Sequence, residues 1–227
     1  MIPYFNFTSP QYSDRLMADF NKSFGEREDF PCPLTKEHTE GHRRIGPLYL
    51  EVRHNRQDEQ IIWGCGFAVH NQILEEFRKE GFTGYRVKPA IVRFGDGSIS
   101  TEYQEFVVTG WAGMASPESG LHVLKSCPGC RWKEYSPVTN FEKVIDWSQW
   151  TGEDFFVVWP LIGYKLCTER VAKWLLEHKV KSFHLEKGFA QIERDPIISR
   201  QGFPGVRLSV FFPQDLAIKY GRPLEIE

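Results

Sequence analysis

Residues 69–81, VHNQILEEFRKEG, are the stretch of sequence that decides the fold. Apolar side chains recur at helical spacing from Val69 to Phe77, so one face of a helix would be apolar. Asn71 is a residue type that caps the start of a helix, and Gly81 is the type that follows a last turn. We therefore predict an amphipathic helix that ends in a tight turn.

Short apolar stretches on both sides of this helix predict strands. Around the helix these stretches are 48–52, 60–63, 85–94 and 105–111. In the C-terminal half, strands are predicted at 154–159, 183–185 and 208–212. Thr168 can cap a second helix between the first two of these, and a further short helix is predicted at 14–24.

The two helix–strand units share a pattern when the chain is shifted by 98 positions. The coinciding apolar pairs are Ile73 with Val171, Phe77 with Leu175, Phe82 with Val180, Tyr85 with Phe183, and Val87 with Leu185. An internal duplication would explain this agreement, although any two amphipathic helix–strand units share such a pattern. We predict an α+β fold with mixed and antiparallel sheets, in one globular domain spanning 1–227. Its pseudo-repeat halves would be 44–111 and 150–212, joined by a loop at 112–149.

Composition limits the classes of function. A chain of 227 residues can bury a sizeable core without disulfides or metal. With 28 Lys and Arg against 30 Asp and Glu, and no basic block, a nucleic-acid partner is not expected. The apolar stretch 155–164 is about half the length of a membrane span, so no membrane association is expected. Five cysteines and no secretory signal favour the reducing cytoplasm.

The segment Cys127-Pro-Gly-Cys130 carries the most specific chemistry in the sequence. Two thiolates three positions apart on a tight turn can bind one tetrahedral zinc ion, but they supply only two of four ligands. Cys32 begins a similar segment in which Thr35 occupies the place of a second thiol. Cys32 and His38 together would complete a site of three cysteines and one histidine. The alternatives for the remaining positions are His42 and Cys65.

Two other interpretations of this pair remain open. A Cys-x-x-Cys pair at the start of a helix can exchange disulfides, which would make the chain a thiol-disulfide oxidoreductase using Cys127 and Cys130. The sequence after Cys130 reaches Pro137 quickly, which is too short for the helix of a thioredoxin-like site. Alternatively, the cysteines are reduced and hold no metal.

The order of these motifs resembles a known family. The shared features are Cys32-Pro33, the helix–strand unit 69–94, Cys127-Pro-Gly-Cys130, Asp154-Phe155-Phe156, Thr168-Glu169-Arg170-Val171 and Val180-Lys181-Ser182-Phe183. Over roughly residues 30–190 the chain is similar to the double-CXXCG motif family of predicted bacterial immunity proteins. The chain departs from the family pattern at Thr35, where a cysteine is expected, and at Arg131, where a glycine is expected. The resemblance implies a protein that neutralises a cognate toxin delivered between neighbouring cells.

A search for catalytic motifs favours binding over catalysis. The sequence contains no Gly-x-Ser-x-Gly, no phosphate-binding glycine loop and no His-Glu-x-x-His. Aromatic and charged residues in the long loop are instead typical of a binding surface. The predicted partner-binding residues are Trp111, Arg131, Trp132 and Tyr135. We predict a non-enzymatic immunity protein whose partner is a toxin; a zinc-stabilised adaptor unrelated to toxins is the alternative.

Overall fold

The computed structural model describes residues 3–10, 18–19, 22–36, 39–53, 55, 59–64, 66–190, 193, 202–205 and 207–227. Across these residues the chain has the predicted α+β fold, with strands in mixed and antiparallel sheets. Strands and helices are numbered below in chain order.

The strands are β1 (Tyr4–Thr8), β2 (Arg27–Pro31), β3 (Thr39–Arg44), β4 (Leu48–Glu51), β5 (Ile61–Trp63), β6 (Phe67–His70), β7 (Tyr85–Arg93), β8 (Ile99–Ser100), β9 (Tyr103–Val108), β10 (Gly110–Met114), β11 (Val123–Ser126), β12 (Lys133–Tyr135), β13 (Phe155–Trp159), β14 (Lys165–Thr168), β15 (His184–Lys187) and β16 (Phe203–Gly205). The helices are α1 (Asn71–Lys79), α2 (Glu169–Glu177) and the short α3 (Gln214–Leu216).

Two larger sheets organise the molecule. One has the order β4-β7-β9-β6-β5, with β8 paired to β7, and the other has the order β10-β13-β14-β1-β15. The pairs β4–β7 and β10–β13 are parallel, and the other pairs in these sheets are antiparallel. Smaller sheets are formed by β2-β3 and by β11-β12-β16. Because β9 is followed directly by β10, one stretch of chain passes from the first larger sheet into the second.

The two larger sheets contain equivalent units. The first unit is β5, β6, α1, β7 and β9; the second is β13, β14, α2, β15 and β1. Phe67–Lys79 in β6 and α1 match Lys165–Glu177 in β14 and α2 at a constant offset of 98 positions. In the first unit β9 lies between β6 and β7, and in the second unit β1 lies between β14 and β15. The central strand therefore comes from downstream in one unit and from the N-terminal part of the chain in the other.

The strand register is also the same in both units. Val87 of β7 pairs with Phe106 of β9, and the equivalent Leu185 of β15 pairs with Phe7 of β1. Across the other edge of the central strand, His70 of the first unit pairs with Tyr103. In the second unit Thr168, the equivalent of His70, pairs with Tyr4. The shared pattern found by shifting the sequence thus corresponds to a shared three-dimensional arrangement.

Reciprocal hydrogen bonds relate the two units. The N–H of Thr83, after α1, donates to the carboxylate of Asp154 at 3.0 Å. The N–H of Lys181, after α2, donates to the side-chain oxygen of Gln60 at 2.6 Å. Gln60 precedes β5 as Asp154 precedes β13, so each unit contacts the other through the same positions. Such reciprocal contacts are expected when an approximate two-fold axis relates the two units.

Aromatic rings from both units pack into one core. The ring centroids of Phe77 in α1 and Trp174 in α2 are 5.3 Å apart, and those of Phe106 in β9 and Phe155 in β13 are 4.9 Å apart. Phe155 is fully buried. Burial of such rings is the main favourable contribution to folding, and edge-to-face contacts add to it.

Three local predictions differ from the structure. The N-terminal cap of α1 is His70, whose Nδ1 accepts the N–H of Gln72 at 3.3 Å, and Asn71 is the first helical residue. The stretch 208–212 is wrong as a strand, because Leu208–Val210 form a 3₁₀ turn. The helix predicted at 14–24 lies largely outside the described residues, and its described residues are not helical.

Candidate metal centre

The segment from Cys127 to Cys130 forms the tip of the hairpin that joins β11 to β12. The N–H of Cys127 donates to the carbonyl of Trp132, and the N–H of Arg131 donates to the carbonyl of Cys127, each at 2.8 Å. Arg131 has a φ of +63°, in the left-handed region that favours glycine. The residue that departs from the family pattern thus adopts the conformation that a glycine would take most easily.

Cys32 reaches this hairpin from the segment that follows β2. The N–H of Leu34 donates to the Sγ of Cys32 at 3.5 Å, so the chain folds around this sulfur as well. A Cβ at Gly129 would lie 2.5 Å from the Cγ of Leu34, which means that only glycine permits this close approach. The sequence gives one signal for this contact, the glycine of Cys-Pro-Gly-Cys, whereas the role of Leu34 has no local signal.

Three sulfur atoms converge at this point. The Sγ atoms of Cys32 and Cys127 are 3.7 Å apart, and the Sγ atoms of Cys32, Cys127 and Cys130 all lie within 4.8 Å of one another. Around a tetrahedral zinc ion with Zn–S bonds of about 2.3 Å, two sulfur ligands are roughly 3.8 Å apart. The cluster therefore has the composition and spacing of three ligands to one metal ion.

The surroundings of Cys127 favour its thiolate form. The pKa of Cys127 is lowered from 9.0 to about 6, chiefly by the N–H of Cys130, which donates to its sulfur. The N–H of Gly129 and the thiols of Cys130 and Cys32 lower the pKa further. Thiolate is the form of cysteine that binds metal, so the backbone prepares this sulfur as a ligand at neutral pH.

The other predicted ligands are His38, His42 and Cys65. His38 and Cys65 lie outside the described residues. His42 is described, and its ring contacts Phe24 at a centroid distance of 4.6 Å. The group of metal-binding atoms found among the described residues consists of the three cysteines.

The predicted partner-binding residues divide into two pairs. Tyr135 is buried and its hydroxyl accepts the indole N–H of Trp159 at 2.9 Å. Trp111 is also buried, and its ring stacks on Tyr220 at 5.3 Å. Both rings stabilise the interior and are covered by their own chain. Arg131 is exposed and Trp132 is partly exposed, so these two residues are accessible to a partner.

Two buried residues with reactive side chains, Asp154 and Cys167, have structural roles in this fold. Asp154 accepts hydrogen bonds from the N–H of Thr83 and from the guanidinium of Arg170, so it links the two units. Cys167 is fully buried, and burial raises the pKa of its thiol far above the ordinary value. It is therefore a protonated core residue at neutral pH.

Comparison with known protein families finds no match for the chain, and comparison with curated proteins finds no similar sequence. None of the helices in the described ranges is long and apolar enough to cross a membrane.

Proposed function

We propose that this chain is a non-catalytic protein that binds and neutralises a protein toxin, and that a structural zinc ion stabilises it. The observation that carries the proposal is the approach of Cys32 to Cys127, which lies 95 positions later in the sequence. The immunity family that the sequence resembles is defined by two cysteine motifs. Here cysteines from both segments belong to one cluster.

Zinc is the metal that suits this cluster best. Three thiolates are soft ligands, and a closed tetrahedral set of cysteine and histidine is typical of structural zinc. Cys130 is buried, so the ion would be shielded on one side. His38, six positions after Cys32, is the proposed fourth ligand.

The ion would join two parts of the chain that are distant in the sequence. It would tie the segment after β2 to the tip of the β11–β12 hairpin. Because the site does not exist in the unfolded chain, the free energy of metal binding adds to the free energy of folding. Loss of zinc would release the hairpin tip, and with it any surface that the tip presents.

Exposed apolar side chains occur on the two segments that meet at the cysteine cluster. Leu34 is 64% exposed, Val123 is 48% exposed and Leu124 is 51% exposed. With Arg131 and Trp132 they form a surface that we call the hairpin surface. Exposed apolar groups together with aromatic and arginine residues are typical of a protein-binding site, so we propose that the toxin contacts this surface.

Binding of the toxin can be tested by co-expression with the protein encoded by the neighbouring gene. We expect the two proteins to co-purify, and we expect the chain to restore growth of cells that express that protein. The double variant Trp132→Ala, Leu124→Ser should weaken binding at least about tenfold, since central interface residues contribute more than about 1 kcal/mol each. Leu176→Ser, at a 64% exposed position on α2, is the matched control and should bind normally. Equal binding by both variants would exclude the hairpin surface.

One observation favours a second function. The lowered pKa of Cys127 is also a property of thiol-disulfide oxidoreductases. However, its motif lies between two strands, whereas the active-site pair of a thioredoxin-like protein opens a helix. An insulin-reduction assay distinguishes the two. Turnover that is lost in Cys127→Ser would support the oxidoreductase, and the zinc proposal expects no turnover.

A further inference from the structure

A cavity of about 260 Å³ lies where the two units meet, separate from the cysteine cluster. Its floor is apolar and comes from both units, including Phe67 and Phe106 of the first and Val157 of the second. The strand β3 covers one side, and the segment 209–212 covers another. A concave site with apolar walls and a few polar groups is the usual form of a small-molecule site.

The polar groups that line the cavity are mostly cationic. Arg43, Arg44, Lys88 and Lys165 line it together with one carboxylate, that of Glu105. Arg43 is paired with Glu28, whose carboxylate lies 2.6 Å from its guanidinium. Arg44 and Glu105 form an ion pair in which each side chain is only 10% exposed. This pair is neutral as a unit, so the two lysines leave the cavity with a surplus of positive charge.

One oxygen of Glu105 lacks a hydrogen-bond partner. Oε1 accepts from Arg44, but Oε2 is buried and has no partner among the described residues. A buried acceptor without a donor costs free energy, and native proteins rarely leave one in place. A hydroxyl or amino group in the cavity would supply the missing donor.

Lys165 is the second group in the cavity whose burial costs free energy. Burial lowers its pKa to about 8, so the ammonium remains mostly charged at neutral pH. Its Nζ donates to the carbonyl of Ile162 at 2.6 Å and to that of Gly163 at 3.4 Å. None of the ion pairs formed by described residues includes it. Among the described residues, the charge is therefore solvated by carbonyl dipoles and not by a carboxylate.

The first unit shows that the fold does not require this charge. The position equivalent to Lys165 is Phe67, which is buried in the same architecture. Glu105 likewise corresponds to Asn6 in the second unit, according to the strand register. The fold therefore accommodates an apolar residue at the position of Lys165 and a neutral amide at the position of Glu105. The charges in the cavity are best explained by a ligand.

We propose that this cavity binds a small organic acid that also carries a hydroxyl or amino group. The acid group lies at Lys165 and Lys88, the donor group lies at the Oε2 of Glu105, and the apolar body packs on Phe67 and Phe106. Binding supplies the counter-ion and the donor that the described residues do not provide. This site is independent of the toxin and of zinc, since it shares no residue with either proposal.

Calorimetry and thermal unfolding with 4-hydroxybenzoate and mandelate test the proposal, since both combine an acid, a hydroxyl and an apolar body. At a concentration ten times Kd, the melting temperature should rise by about 4 °C. Benzoate lacks the donor and phenol lacks the acid, and each should bind about tenfold more weakly than 4-hydroxybenzoate. Failure of both hydroxy acids to bind at 10 mM would overturn the proposal.

Variants distinguish a ligand site from a structural role. Lys165→Met should weaken binding of 4-hydroxybenzoate at least about tenfold while raising the melting temperature of the ligand-free protein. Lys173→Met, on the exposed face of α2, is the matched control and should bind as the wild type does. If Lys165→Met fails to fold, Lys88→Met replaces it with the same expected loss of binding. Unchanged binding in the folded lysine variant would contradict the proposal.

Discussion

The two units have the same strand order, the same register and the same helix, yet they differ at their contact with each other. Asp154 in the second unit accepts hydrogen bonds from Thr83, from the hydroxyl of Thr168 and from Arg170. The equivalent Gln60 in the first unit accepts from the N–H of Lys181. The comparison teaches that the architecture tolerates a neutral residue here, and that the carboxylate of Asp154 has additional partners within its own unit, Thr168 and Arg170.

The largest expected effect concerns the core that both units share. Phe155 is fully buried, and its ring meets those of Phe77 and Phe106 in the first unit. Phe155→Ala should lower the free energy of unfolding by about 4 kcal/mol, because it removes a large ring and leaves a cavity. Ile61→Ala, at the equivalent buried position of the first unit, should cost about 3 kcal/mol. Urea unfolding measures both, and a loss below 1 kcal/mol for Phe155→Ala would exclude a shared core.

The second prediction tests the unequal hydrogen bonding of Asp154 and Gln60. Asp154→Ala should cost about 3 kcal/mol, since it leaves the N–H of Thr83 unpaired and removes a largely buried partner of Arg170. Gln60→Ala should cost about 1 kcal/mol, the value of one hydrogen bond. Chemical denaturation of the two variants provides the comparison. Equal losses would mean that the two contacts are energetically alike.

The third prediction uses pH to compare Lys165 with its apolar equivalent Phe67. The folded-state pKa of Lys165 is about 8, below the ordinary value of 10.5, so the unfolded chain binds the proton more tightly. The cost of the buried charge is therefore full below pH 8 and declines as pH rises from 8 towards 10.5. Lys165→Met should be more stable than wild type by about 2 kcal/mol at pH 7.5 and by clearly less at pH 9.5. A difference that does not change with pH would show that the amine is well solvated.

The smallest expected effect concerns the turns after the two helices. Lys179 has a φ of +53° after α2, whereas the equivalent residue after α1 is Gly81 with a φ of +68°. Lys179→Gly should stabilise the protein by about 0.7 kcal/mol, because glycine adopts this conformation without strain. Gly81→Lys should destabilise it by about the same amount. Thermal unfolding of both variants checks the sign, and a loss of stability in Lys179→Gly would contradict the equivalence of the turns.

Local patterns in the sequence predicted much of this fold. The spacing of Ile73 and Phe77 predicted α1, Thr168 indicated the start of α2, and the apolar stretch at 183–185 predicted the strand that follows it. The placement of β1 beside β14 and β15 could not be predicted, because strand pairing between distant segments leaves no local signal. Duplication as the origin of the two units remains a prediction.

The candidate site was only partly predictable for the same reason. Cysteine spacing identified Cys127 and Cys130, and the proline after Cys32 indicated its partner segment. Burial of Trp111 and Tyr135 was not predicted, because both lie near glycine and proline residues that normally mark exposed loops. The cavity between the units could not be predicted at all, since Glu105 and Lys165 meet only through the packing of the two sheets.

The most direct test of the account is the zinc content of the purified protein. We expect one zinc ion per chain in the wild type and in Cys167→Ala, because Cys167 is a core residue and is not one of the predicted zinc ligands. Cys32→Ser should lose most of the zinc, because one thiolate of the cluster is removed. Zinc bound equally by Cys32→Ser and by wild type, or no zinc in either, would contradict the claim that the two cysteine segments form one metal centre.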